Sequence, residues 1–395
     1  MRFEDVAIPA GFVWSSPFVR WQGALADASS LDVAVWVTAR ALRERGFAAG
    51  ELDGLVLGWT VPQVDTFYGV TTVAARLGAP GITGPMLSQA CATSVACLQA
   101  AASSLDGGDA VHLALASDRT SNGPLLTFPA PSAPGGAPRT QLWVVDSFAR
   151  DPWATTSMLQ AGDTVAAEIG VGRAETDAVA VLRYQQYQRA LADDRAFQRR
   201  YLVPVEIPSR KGPVLIDADE GVRAVDAPTI ARLPPVDPAG VHTFATQTHP
   251  ADGCAGALVT SVARARELAG GQGVVRLLGT GFARVARTHM PQAPVPAARA
   301  ALAAAGLTVD QVDAVTTHNP FAVNDLYFAR EMGYPLERMN AYGCSLIWGH
   351  PQAPTGLRSI AELVEELRLR GGGVGLFTGC AAGDTGAAVV LRVED

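Results

Sequence analysis

Apolar positions at helical spacing, then a glycine, a short loop and an apolar strand: this pattern occurs twice along the chain. Residues 41–53 read ALRERGFAAGELD and residues 301–313 read ALAAAGLTVDQVD, aligned without a gap at an offset of 260. Each stretch predicts the end of an amphipathic helix, a glycine at its C-terminus, and an aspartate leading into a strand. The strands are predicted over 55–58 and 314–317. A second pair extends the repeat. Residues 91–118 predict a helix over 94–105, a Gly107-Gly108 turn and an apolar strand over 110–116. Residues 353–380 predict a helix over 355–369, glycines at 371–373 and a strand over 374–378. Helices alternating with parallel apolar strands predict a layered α/β fold built from two related halves.

The halves are unequal. The second spans 269–395; the first spans 1–268 and holds the same unit plus an insertion over about 119–248. The insertion follows Asp118, and the first half closes on a strand predicted over 256–261. Its opening, 124–138, is rich in Pro and Gly and reads as loop. Two helices are predicted next, over 156–169 and 174–191. A polar stretch follows with SRKG (209–212), DADE (217–220) and Arg223. A long insertion in a compact α/β core is usually functional.

Composition narrows the function classes. The chain has 395 residues, 48% hydrophobic and 17% charged, which excludes disorder as the main state. Five scattered cysteines exclude a disulfide-stapled mini-protein. The N-terminal MRFEDVAIPAG has no apolar stretch of signal-peptide type. No apolar run approaches the ~18 residues of a membrane helix. A cytoplasmic chain with reduced thiols is expected, with no membrane partner. The net charge of −7 argues against non-specific nucleic-acid binding. Only Lys211 among the 31 basic residues is a lysine, so a phosphate would be held by arginine.

Four reactive side chains fall at strand ends or helix starts. Cys91, in SQACATS, sits at a helix N-terminus, where backbone N–H groups and the helix dipole favour a thiolate. An isolated cysteine is more often a small buried hydrophobe, and Cys97 on the same helix reads that way. His350, in GHPQAPTG, precedes the matching helix of the second half. Pseudo-symmetry should bring it opposite Cys91, as a base for the thiol proton. Cys380, in TGCAAGDTG, and His318, in HNPFA, are each predicted just past a strand. Sites in α/β sheets favour such positions. Wide spacing without a CxxC or HxxxH pair argues against zinc, and no metal is expected. No GxGxxG, P-loop or GxSxG anchors a nucleotide or serine-hydrolase reading.

The set resembles the thiolase family over nearly the whole chain. Cys91 in QACATS matches that family's nucleophile, Gly349–Pro351 its GHP motif, and Cys380 its C-terminal cysteine. His318, aligned through Phe321 and Ala322, falls where thiolases carry the Asn of NEAF; the sterol-carrier type has His there. GRAETDAVAV (172–181), IDADE (216–220), ADG (251–253) and the stretch from Met290 to Pro296 resemble the family's loop domain and its return to the core. The resemblance implies a five-layered αβαβα fold and acyl transfer between CoA thioesters. The activity implied is CoA-dependent cleavage of a 3-oxoacyl-CoA, or the reverse Claisen condensation. CoA is then a substrate, and no bound cofactor is implied.

The roles implied agree with the chemistry of the residues. His350 deprotonates Cys91, whose thiolate attacks the keto carbon. Cys380 exchanges the proton of the acetyl-CoA enolate, and His350 and His318 hold the enolate oxygen. Backbone N–H groups of Cys91 and Ala382 hold the other oxyanion. Arg223, Thr229 and Thr248 match CoA-contacting positions, and a homodimer or homotetramer is implied. The sequence departs from the family at Asn319-Pro320, at GHPQAPTG, at CAAGDTG and at Ser157, which precedes Met158 where short-chain enzymes have His. Trp348 sits directly before GHP. These departures reshape the acyl side. Two alternatives remain: a decarboxylating ketosynthase-like enzyme, and an acyl-CoA-binding subunit without catalysis.

Overall fold

The computed structural model describes residues 1–105, 108–210 and 212–394. Gly107 of the expected turn and Lys211 of SRKG lie outside the described residues. Core elements are numbered here in chain order. They begin with β1 (Ala7–Pro9), β2 (Val13–Ser15), α1 (Ser30–Glu44), β3 (Gly54–Gly58), α2 (Gly69–Leu77), β4 (Met86–Leu87), α3 (Thr93–Ser103) and β5 (His112–Arg119). After the insertion come β6 (Ala251–Val259), β7 (Val274–Arg284), α4 (Pro294–Ala305), β8 (Ala314–His318) and α5 (Ala322–Met332). The chain ends with α6 (Thr355–Leu369), β9 (Gly373–Ala381) and β10 (Thr385–Glu394).

The repeat is structural down to single hydrogen bonds. Gly46 and Gly306 close α1 and α4 at φ +68° and +69°, a left-handed turn that favours glycine. In each copy the next N–H returns to the helix, Phe47 to the Leu42 carbonyl and Leu307 to that of Leu302. The repeated aspartates also act alike. Asp53 accepts the Val111 N–H and Asp313 the Val374 N–H, both at 2.8 Å, so each pins the neighbouring strand.

Two sheets result. The first runs β2-β6-β5-β3-β4, and the second β1-β7-β10-β9-β8. The sheets are mixed rather than wholly parallel. β3 pairs parallel with β4 and β5, and β8 with β9, but β6 and β10 run antiparallel to their partners. β1, from the start of the chain, joins the second sheet. Helices α3 and α6 lie between the sheets, α1 and α2 cover the first, and α4 covers the second, joined by α5 through Phe328. This is the five-layered αβαβα architecture.

Four boundaries differ from the sequence expectation. The closing strand of the first half is Ala251–Val259, not 256–261, because the small residues ADGCAGA hide a stretch buried along its whole length. The Pro/Gly-rich opening of the insertion is bracketed by a hairpin, Leu125–Phe128 with Arg139–Leu142. Cys380 lies inside β9 and His318 is the last residue of β8, so neither is past its strand. The insertion helices are Met158–Glu168 and Arg173–Ala190.

Helix α6 fixes the insertion to the core. Its pattern reads as amphipathic, yet almost the whole helix is buried. Arg358 is fully buried and meets Asp219 of IDADE through two bonds of 2.6 and 2.7 Å. Its guanidinium lies over the rings of Phe18 and Trp348 at 4.6 and 4.3 Å. A bidentate, stacked pair of this kind satisfies two charges that burial alone would penalise. Asp219 also accepts from the Phe18 N–H and the Tyr187 hydroxyl, so one carboxylate joins insertion, first sheet and central layer.

Candidate active site

The starts of α3 and α6 face each other between the sheets and deliver Cys91 and His350. Ala90, immediately before Cys91, holds φ +45°, an uncommon conformation that turns the sulfur toward the second half. Gly349, at φ +97°, makes the matching turn before His350. The His350 loop is anchored by its own N–H on the His249 carbonyl at 2.8 Å. His350 Nε2 then lies 3.1 Å from Cys91 Sγ, and its Nδ1 lies 2.7 Å from the Thr355 hydroxyl. The hydroxyl takes up one ring nitrogen and leaves the other free to receive the thiol proton.

His318, at the end of β8, packs its ring against that of His350 with centroids 4.1 Å apart. Its Nδ1 is 2.8 Å from the Ser345 hydroxyl, and Nε2 has no hydrogen-bond partner among the described residues. Ligand atoms of Cys91, His318 and His350 all lie within 4.8 Å of one another. Such a set could hold a soft metal ion, and it can equally work as a nucleophile with two imidazoles.

Burial decides the protonation states. It lowers His318 to about 3 and His350 well below its usual value, with the neighbouring His318 lowering His350 further. Both rings are therefore neutral near pH 7. Burial also pushes the Cys91 thiol up to about 12. The backbone N–H groups of Ala382 and of Cys91 itself oppose this but do not outweigh it. The expected helix-stabilised thiolate is thus not the resting form. The structure holds a thiol beside a neutral imidazole, so a proton would have to move for the sulfur to act as a nucleophile.

Cys380 is buried as well, and the charge of Cys91 acts on it. Burial raises its thiol well above the ordinary range, and Asn324 works against that. The Asn324 amide nitrogen donates to Cys380 Sγ at 3.2 Å, while its oxygen caps the Phe321 N–H at the start of α5. The cap aims the amide at the sulfur. Asn324, Ser345, Thr355 and Gln352 escaped the sequence reading. Only Asn324 and Thr355 carry a local signal, as polar residues in the first turn of a helix that follows a motif residue.

A cavity of about 320 Å³ opens onto Cys91. Its wall includes His350, Gln352, Ala382, Thr248 and His249, with Phe148, Met158, Leu159, Phe244, Met290 and Phe321. Ser157 lines it too, as the N-cap of an insertion helix. Thr248 reaches the wall with its hydroxyl donated to the Ser345 carbonyl. Arg223 is exposed, makes no ion pair among the described residues and acts electrostatically on His249. Thr229 sits on the short helix Ala227–Ile230, capped by Asp226, and is not part of the cavity wall.

Residues 14–263 match the family model described as Thiolase, N-terminal domain, and residues 272–393 the one described as Thiolase, C-terminal domain. A beta-ketoadipyl-CoA thiolase of Pseudomonas aeruginosa is 31% identical over 392 residues, covering 95% of this chain and 96% of that protein. An acetyl-CoA acetyltransferase of the same organism is 29% identical over 381 residues, covering 94% and 95%. The crystal structure of the Bacillus anthracis acetyl-CoA acetyltransferase superposes with a TM-score of 0.90 at 25% identity over 99% of both chains. The human mitochondrial 3-ketoacyl-CoA thiolase in complex with CoA shares the fold, with a TM-score of 0.89 at 22% identity over 98% of both chains.

Proposed function

The chain belongs to the thiolase family, and on that premise we propose a division of labour within its site. The activity is acyl transfer of the thiolase type: CoA-dependent cleavage of a 3-oxoacyl-CoA, or the reverse condensation, through an acyl-cysteine. His350 Nε2 takes the proton of Cys91, and the sulfur attacks the keto carbon. The backbone N–H groups of Cys91 and Ala382 receive the oxyanion; one such donor is typically worth about 3 kcal/mol. Cys380 supplies the proton to the leaving acetyl-CoA enolate, whose oxygen is held by the Nε2 atoms of His318 and His350. The observation that carries this reading is the 3.1 Å contact between His350 Nε2 and Cys91 Sγ, from opposite halves of the chain.

The acyl group is proposed to be neutral and apolar. No Lys, Arg, Asp or Glu is among the lining residues, and six of them are Phe, Met or Leu. A carboxylate-ended chain would lose its hydration there without gaining a cationic partner. CoA is proposed to pass Thr248 and to place its phosphates near Arg223, with Thr229 as an outer contact. No helix among the described residues is long and apolar enough to cross a membrane, and a cytoplasmic location is proposed. A homodimer or homotetramer is also proposed. Val64, Phe67 and Tyr68 are 84, 82 and 68% exposed on the stretch before α2, whose first residue packs on Met86 of edge strand β4. Light scattering on the purified chain counts its subunits.

The test is a panel of 3-oxoacyl-CoA esters with free CoA, read for acetyl-CoA and for an acyl adduct on Cys91. Both should appear with apolar chains and vanish in Cys91→Ala. Turnover that required a malonyl thioester and survived Cys380→Ala would replace this reading with a decarboxylating one. No adduct with any ester would replace it with a binding role.

A further inference from the structure

Gln352 touches the nucleophile and has no part in the scheme above. Its Oε1 lies 3.4 Å from Cys91 Sγ, its side chain is almost wholly buried, and it lines the cavity. It also holds φ +72°, a left-handed backbone that a residue with a Cβ rarely adopts. Glycine would fit this conformation better, so the side chain is retained at a cost in stability.

The surroundings of His350 explain what the amide can do. Its ring meets Cys91 on one side, the face of His318 on another and the Thr355 hydroxyl at Nδ1. His249, from the adjacent segment, also acts on it, and Asp118 acts on Cys91. No carboxylate backs the imidazole among these contacts. Burial, His318 and His249 all disfavour the imidazolium, and Gln352 acts in the opposite direction as a hydrogen-bond partner. A neutral acceptor beside the ring thus opposes, without outweighing, the surroundings that make this imidazole a weak base.

We propose that Gln352 is a catalytic residue whose side-chain carbonyl accepts the His350 Nε2–H once the Cys91 proton has moved there. In this step the S–H bond breaks and the Nε2–H bond forms. The electron pair stays on sulfur, and no other reactant is consumed. The carbonyl accepts the thiol S–H before transfer; the S–H turns to Nε2 as the proton moves, and the carbonyl then faces the imidazolium. The proposal rests on the acyl-transfer reading for its purpose, but the proton step itself needs no CoA ester.

The test therefore uses iodoacetamide on the intact protein, with alkylation of Cys91 followed by peptide mass mapping from pH 6 to 10. Gln352→Met keeps length and volume but removes the carbonyl. It should slow Cys91 alkylation about 10-fold across this whole pH range, a parallel displacement of the pH profile by about one unit. In the acyl-transfer assay it should lower kcat about as much and leave KM nearly unchanged. Gln352→Gly should slow alkylation equally while raising the melting temperature by a few degrees, because backbone strain is released. A purely packing role for Gln352 predicts the reverse: an unshifted pH profile and a less stable glycine variant. Either of those results overturns the proposal. Failure of the acyl-transfer reading would show separately, as absent turnover in the wild-type chain with a normal alkylation profile.

Discussion

The two halves share a scaffold but use their strand ends differently. At the end of β5 in the first half stands Asp118, fully occupied by structure. It accepts from the backbone N–H groups of Thr60, Val61 and Ala353 at 2.9 to 3.0 Å and from the Thr60 hydroxyl at 2.7 Å. Ala353 belongs to the His350 loop, so Asp118 ties the base of the second half to the frame of the first. At the ends of β8 and β9 in the second half stand His318 and Cys380, whose reactive atoms are left open or lightly held. The lesson is that duplication supplied a symmetric frame, while chemistry required breaking the symmetry. At these strand ends one half holds the frame still while the other, on the proposed roles, handles protons; the thiol Cys91 enters from a helix start of the first half.

The largest break should come from Asp118→Ala. Three backbone N–H groups and a hydroxyl would lose their acceptor in a buried place. At about 1–3 kcal/mol for each stranded group, partly relieved by entering water, a loss of about 4 kcal/mol is expected. Urea unfolding measures it. Because the His350 loop is released, kcat should also fall. A stable variant with normal kcat would show that the frame does not depend on this carboxylate.

The next test separates the halves by pH. His318 titrates at about 3 in the folded chain against an ordinary 6.5. A lowered imidazole contributes stability that is present above pH 6.5 and lost as pH falls toward 3. The loss from His318 alone should be roughly 4 kcal/mol by pH 3.5, and His350 adds to it in the same direction. Asp118 is raised by burial to about 6 from an ordinary 3.8, so its contribution is present below pH 3.8 and lost as pH rises through 6. His318→Asn should therefore flatten the acid limb of a stability–pH curve, and Asp118→Ala should not. Equal flattening in both would erase the distinction between the halves.

A smaller effect is expected at Asn324, which serves Cys380 alone of the two thiols. Asn324→Leu removes the donor at 3.2 Å and raises that thiol further. Exchange of the acetyl-CoA methyl protons with deuterated water should slow about 10-fold or more, while iodoacetamide labelling of Cys91 stays unchanged. Loss of both together would mean that the two thiols act as one unit.

How far the sequence shows this division depends on range. The frame was legible because its signals are local: Gly46 and Gly306 end helices, and Asp53 and Asp313 precede strands, within short windows that repeat at an offset of 260, even though the N–H groups these aspartates hold lie 58 and 61 residues away. Cys91, His318, His350 and Cys380 were legible as reactive types at privileged positions. Their partners were not. Ser345 meets His318 across 27 residues and Gln352 meets Cys91 across 261, and nothing in either local pattern announces the pairing. Helix α6 misleads for a related reason. Its Arg358, Glu362 and Glu365 look like a solvated face, yet Asp219, Tyr201 and Arg200 satisfy them from distant segments.

The finest test compares the two hydroxyls that hold the two imidazoles. Thr355 meets His350 at Nδ1 within α6, five residues along the chain. Ser345 meets His318 at Nδ1 and also bonds the Asn319 side chain and backbone. Thr355→Val keeps the shape of the side chain and strands one ring N–H. It should cost about 1 kcal/mol of stability and lower the rate of Cys91 acylation a few-fold to about 10-fold, with KM unchanged. Methyl-proton exchange of acetyl-CoA should fall less if, as proposed, His318 holds the enolate oxygen. Ser345→Ala should invert this ranking, slowing exchange more than acylation. The two hydroxyls occupy corresponding places beside two adjacent, mutually tilted rings, so equal kinetic effects would mean that the imidazoles share one task rather than dividing it.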